Sequence, residues 1–235
     1  MAYDKSDPRA ALAGGTRTLG ANVAPQSFEF DHREPDERSA AGSVSWWVRS
    51  QAIVYNHVRA VAGDIVGRSG QAEEYAVLLP DAGTSARIRA AGEERALVAP
   101  ALAFVPAGDS EIVVETDATV VRVFAAATAD DLCRRCANDA FYATPDPNVA
   151  PFVAWPDPPA GQAIRIYAVD EVPRDKARLG RIFRGSTFMI NWIYPDHGAR
   201  DTTRLSHITT TTSSSCHCSS RATTSTTCGR PGPST

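Results

Sequence analysis

From Ser45 the chain sets short apolar runs between turn residues, and the runs have the character of strands. SWWVRSQAIVYNHVRA mixes aromatic and β-branched residues with polar alternation and stops at Ala62-Gly63-Asp64. EEYAVLLPD follows, then SARIRA, which alternates Ala86, Ile88 and Ala90 against Arg87 and Arg89. ERALVAP, ALAFVPAGD, SEIVVETD and ATVVRVFAA complete the series. Turn signals recur about every 8–12 residues with no strand–helix alternation, which predicts an all-β antiparallel sandwich or barrel. One helix is predicted near 129–141, with Thr128 as N-cap and Asp131 three positions on. The stretch ATPDPNVAPFVAWPDPPAGQ is too rich in proline for either regular element and reads as a connector.

Strands resume in AIRIYAVDEV and RIFRGSTFMINWIYP. RSQAIVYN at 49–56 and RGSTFMIN at 184–191 align without a gap, which suggests two copies of one β-domain. The expected organisation is a flexible arm at 1–43, a complete domain at 44–127 and a helix with connector at 128–162. A second, partial domain at 163–205 and a Thr/Ser-rich tail at 206–235 follow. A half domain would expose Phe188, Ile190 and Trp192 together with unpaired strand edges, so a homodimer or an aggregation-prone fragment is expected.

Beyond Ser206 the chain changes character: HITTTTSSSCHCSSRATTSTTCGRPGPST offers almost nothing to bury, and disorder is expected. The Thr and Ser codons, read one base over, permit His-His-Asp-Asp-Phe-Glu-Gln across Ile208 to Ser215. Arg221 to Arg230 permit Gly-Asp-Tyr-Val-His-His-Leu-Arg in the same way. A frameshift near Ser206 that scrambles a metal-site segment accounts for both.

A net charge of −3 with interspersed signs leaves no footprint for nucleic acid or an anionic membrane surface. No apolar run is long enough to cross a bilayer, and the first residues lack the apolar core of a signal peptide, so a cytoplasmic location is expected. Of five cysteines, only Cys133 and Cys136 precede the tail. Their C-x-x-C on one helical face reads as a pair of buried structural thiols.

EEYAVLLPDAG and LAFVPAGDSEIVV resemble the two motifs of the cupin family. Gly63, Glu74 and Gly83 stand near the glycine–glutamate–glycine frame of the first, and Pro106 and Gly108 match the P-x-G turn of the second. The resemblance covers about 45–205 and implies a two-domain jelly-roll barrel. Cupins hold a divalent transition metal on three imidazoles and a carboxylate. Counting from Glu74, the first two histidine positions carry Gly67 and Ser69, and the third carries Glu111.

The resemblance therefore implies no metal cofactor in this chain, while an intact relative would carry one in its second domain. Two functions remain open: a metal-free small-molecule-binding or structural role, and a fragment of a metal-dependent dioxygenase or isomerase. Arg49, Glu74, Glu111 and Arg184 are the candidate ligand-binding residues, the two arginines standing at equivalent repeat positions. His57 is expected at the surface or in the barrel lumen, and adjacent Trp46 and Trp47 should point to opposite faces.

Overall fold

The computed structural model describes residues 26–146, 149, 158, 161–175 and 180–195, with the backbone of Ser215–Cys218 and Ser225–Gly229. Strands β1 (Gln26–Glu29) and β2 (Glu37–Arg38) lead into β3 (Val44–Arg49), β4 (Ile53–Ala60), β5 (Ile65–Gln71) and β6 (Tyr75–Leu79). Then come β7 (Ser85–Ala90), β8 (Glu93–Val98), β9 (Ala101–Val105), β10 (Gly108–Val114) and β11 (Ala118–Ala125). A single α-helical turn, α1 (Asp130–Cys133), precedes β12 (Arg165–Ala168), β13 (Gly180–Arg184) and β14 (Met189–Ile193). The backbone strands β15 (Ser215–Cys218) and β16 (Ser225–Gly229) close the order.

Two antiparallel sheets face each other. One has the order β5-β10-β7-β8; the other runs β12-β9-β6-β11-β4-β3-β2. From β4 to β11, successive strands therefore alternate between sheets, except at β7–β8 and in the final return to β4, which is the winding of a jelly roll. Glycine makes the connections: Gly63 and Gly108 take φ of +87° and +107°, where a Cβ would strain the backbone.

Between the sheets lie Val54, Val58, Tyr75, Val77, Leu79, Ile88, Leu97, Ile112, Val120 and Phe124. The central strands β7 and β10 of the four-stranded sheet alternate buried and exposed residues because their far face meets water. By contrast, β9 and β11 are buried on both faces, and their near-continuous apolar sequence reflects this. Their outer side forms a second apolar layer, in which Phe30, Trp46, Tyr55, Phe104, Val121, Phe183 and Phe188 pack together. Burying a side chain such as Phe30 contributes about 2–3 kcal/mol, enough to order the segment that carries it.

That second layer changes the expected organisation. Residues 26–38 of the arm are ordered, since Phe28 and Phe30 cover the outer face and β2 pairs with β3. The segment read as opening a second roll has a different place: β12 pairs with β9 and extends the first roll's sheet. The hairpin β13–β14 lies against the same outer face, so Phe188 is only 7 % exposed and Ile190 and Trp192 are half-buried. The apolar surface expected to drive aggregation is thus partly used within the chain.

The helix predicted over 129–141 shortens to α1, followed by a 3-10 turn at Asp139–Tyr142. Thr128 does not cap it, because Ala129 holds the N-cap position; the Thr128 hydroxyl shares its proton between Glu73 (3.3 Å) and Ala125 O (3.5 Å), and Asp131 instead holds Arg68. Most of the tail lies outside the described residues, including 208–214 of the first alternate-frame segment and 221–224 of the second. Where its backbone is described, β15 and β16 pair with each other, and β16 pairs with β1. Among the described residues no helix is long and apolar enough to cross a membrane.

Candidate functional site

One end of the roll opens into a cavity of about 390 Å³ lined by Trp47, Gly67, Arg68, Ser69, Arg122, Asp131, Leu132 and Arg135. Strand alternation sets what enters it. On β11, Val120, Arg122 and Phe124 share the inward face, so Arg122 is carried into the barrel between two core residues. Its residue is 5 % exposed. Nε donates to Asn56 Oδ1 and Nη1 to Gly67 O, both at 2.9 Å. The guanidinium carbon sits 5.3 Å from the Trp47 ring centre and 5.7 Å from that of Phe124, within cation–π range. Burial pushes its pKa down to about 10, which leaves it charged at neutral pH.

The other two arginines of the wall are compensated. Arg68 forks onto Asp131 at 2.5 and 3.1 Å and donates to Gln71 Oε1 at 2.8 Å. Arg135 donates to Glu37 Oε1 at 2.9 Å, and Glu37 also accepts from Trp47 Nε1 at 3.1 Å. Arg122 has no carboxylate within ion-pair distance among the described residues. Deeper in the barrel, Tyr75 and Ser110 share a 2.9 Å hydrogen bond, and burial raises the phenol's pKa.

None of the four residues singled out from the sequence lines this cavity. Arg49 donates to Asp139 Oδ1 at 2.6 Å and lies 5.3 Å from the Tyr142 ring centre. Glu74 faces the outer layer, where it accepts from Arg165 Nη2 at 2.6 Å and from Ser186 N at 3.0 Å. Glu111 is on the solvent face of β10, 3.4 Å from Arg89. Arg184 is buried in β13, with Nη2 3.3 Å from Met189 Sδ.

A single residue separates the expected and observed frames. Gly67 pairs with Glu111 on the outward face, whereas Arg68 pairs with Ser110 on the inward one, and Tyr75 rather than Glu74 enters the core. A one-residue slip moves every side chain of a strand to the other face. A register shift between Gly108 and Ser110 accounts for the offset on β10. Arg122 was missed because a lone arginine in VVRVF carries no motif; its signal was a charge inside an apolar run.

The inward residues do not fit a transition-metal centre. Arg68, Tyr75, Ser110 and Arg122 supply no imidazole and no free carboxylate, and a guanidinium repels a cation. No three His, Cys, Asp or Glu side chains gather into a metal-holding group among the described residues. His57 lies elsewhere, on the outer face rather than at the surface or in the lumen. Its ring stacks on Phe30 at 4.8 Å, and burial lowers its pKa to about 4. Trp46 and Trp47 do take opposite faces, the first in the outer layer and the second in the core. Cys133 and Cys136 are buried and form no disulfide, and burial raises the Cys133 thiol's pKa, which suppresses the reactive thiolate.

No family model and no curated protein matches this chain. Among solved structures, KdgF from Halomonas sp. is similar at 16% identity and a TM-score of 0.36, covering 42% of this chain and 92% of that one. A cupin superfamily protein from Desulfitobacterium hafniense gives 15% and 0.33, covering 38% of this chain and 82% of its own. Oxalate decarboxylase from Bacillus subtilis gives 19% and 0.36; the match covers 46% of this chain and 31% of that enzyme. The strand order carries the assignment: β4-β11-β6-β9 faces β5-β10-β7-β8, with the Pro106–Gly108 turn joining the sheets. The chain folds as an antiparallel jelly roll.

Proposed function

We propose that this chain is a metal-free binding protein that takes a small molecule into the mouth of its jelly roll. The observation that carries the reading is the inward face itself. Arg68 and Arg122 line the cavity with guanidinium donors, the Tyr75–Ser110 pair lies behind them in the barrel, and none of the four is a good ligand for a transition metal. At about 390 Å³ the cavity falls in the lower part of the range of small-molecule sites. Trp47 and Leu132 add apolar wall to its polar groups, the usual balance in such sites.

Metal analysis of the full chain tests this reading. Protein produced with iron, manganese, nickel and zinc in the medium, then desalted, should hold only substoichiometric metal. A full equivalent that resists mild chelation would overturn the proposal and favour a metal-dependent enzyme of the dioxygenase or isomerase type.

A further inference from the structure

We propose that the cavity binds a small organic carboxylate, held by the inward edge of the Arg122 guanidinium. This deepens the binding role proposed above and rests on it.

The inference begins with an imbalance of charge. Three arginines and one aspartate line the cavity. Asp131 answers Arg68, and Glu37 answers Arg135 from just outside the lining. Arg122 is left: it is buried, no carboxylate is in ion-pair contact with it among the described residues, and Glu37, already held by Arg135 and Trp47, reaches it only through space. A buried ion without a counter-ion is costly, and two neutral acceptors with two aromatic faces offset only part of that cost. An anion entering the cavity would supply the rest.

Geometry selects the class of anion. A guanidinium has five N–H donors. Asn56 and Gly67 use one on Nε and one on Nη1, which leaves one on Nη1 and both on Nη2 without a protein partner among the described residues. Those adjacent donors form the fork that a carboxylate accepts with two parallel hydrogen bonds. One uncompensated positive charge balances one carboxylate. A phosphate dianion would need a second free cation, and Arg68 and Arg135 are already paired. The Trp47 ring and Leu132 give the organic part of the ligand an apolar surface.

Calorimetric titration of the full chain at pH 7 with benzoate, succinate, inorganic phosphate and the neutral benzamide tests the proposal. Saturable one-to-one binding of benzoate or succinate is expected, with affinity at least about tenfold above that for phosphate or benzamide. Asn56→Asp places a carboxylate beside Arg122 from within the protein and should weaken that binding about tenfold or more, its melting temperature checking that the lost Asn56 Nδ2 bond to Trp46 O has not unfolded it. Arg122→Met should abolish binding; its melting temperature confirms that the loss is not unfolding.

Absence of saturation by either carboxylate at millimolar concentration overturns the proposal, as does unchanged binding in folded Arg122→Met or Asn56→Asp. Phosphate binding as tightly as the carboxylates overturns the assignment of class. Benzamide binding to metal-free protein, with no preference for benzoate, leaves the small-molecule reading intact and removes the carboxylate. Stoichiometric metal removes the binding reading itself.

Discussion

Two buried charges in this protein are treated in opposite ways. Glu74, 2 % exposed on the outer layer, is fully met by Arg165 and by the backbone N–H of Ser186. It thereby ties β12 and the β13–β14 hairpin to the roll. Arg122, 5 % exposed inside the roll, is hydrogen-bonded only to neutral oxygens and packs on aromatic rings, and the Glu37 carboxylate reaches it only through space. The outer site uses its charge to fix one chain segment against another. The inner site holds a charge with no carboxylate in contact among the described residues. A complete set of partners fits a structural ion, and the incomplete set beside the cavity is what the proposed binding would complete.

The largest effect should come from breaking the complete set. Glu74→Ala leaves Arg165 and the Ser186 amide without their acceptor and should cost about 3–4 kcal/mol, seen as a lower urea midpoint. Gly185, next to Ser186, has no room for a Cβ, which would meet Phe104 at 2.8 Å, so the hairpin cannot easily shift to compensate. A loss below about 0.5 kcal/mol would mean that the outer ion pair is not structural.

His57 sharpens the contrast from the same layer, as a buried group that stays neutral. Its folded pKa of about 4 lies below the unfolded value of 6.5, so the unfolded chain takes up a proton first as pH falls. Its contribution is therefore complete above about pH 6.5 and is lost between there and about pH 4, a total of about 3 kcal/mol. His57→Phe should flatten that part of the stability profile. An identical pH dependence in wild type and variant would place the acid-sensitive group elsewhere.

The smallest effect belongs to the rim of the cavity. Asp131 is half-exposed and its pKa is lowered by the Arg68 fork, so its contribution is present above the ordinary carboxylate range and lost as pH falls through the lowered value. Solvent screens the pair, and Asp131→Asn should cost only about 0.5–1 kcal/mol. It would also free Arg68 as a second cation, so phosphate should bind the variant more tightly than wild type. Unchanged phosphate affinity would mean that Arg68 takes no part in selecting the anion.

Much of the fold was legible in the pattern of residues. SARIRA showed its alternation because one face of β7 meets water, and the P-x-G turn at Pro106–Gly108 stands between two strands as its chemistry requires. ALAFV and VVRVF were read as strands, and the absence of a polar face in them is the mark of burial on both sides. What covers that second side could not be read locally, because the cover comes from Phe30 and from Phe183 and Phe188 far along the chain. The site was legible only in part. Counting from a motif reached the right strands, and Gly67 and Ser69 do border the cavity, but a slip of one residue left the inward Arg68 and Ser110 out of the counted set.

The sequence by itself determined that this is an antiparallel β protein with turns at its glycines and prolines, since those preferences act within a few residues. It also determined that the 44–127 segment carries a single histidine, His57. Tertiary structure alone decided that the strand and hairpin after the connector complete the first roll's covering. It alone decided that Glu74 is an anchor and that Arg122 enters the cavity. Those outcomes depend on register and on contacts between distant segments, where a shift of one residue reverses which side chain faces the core.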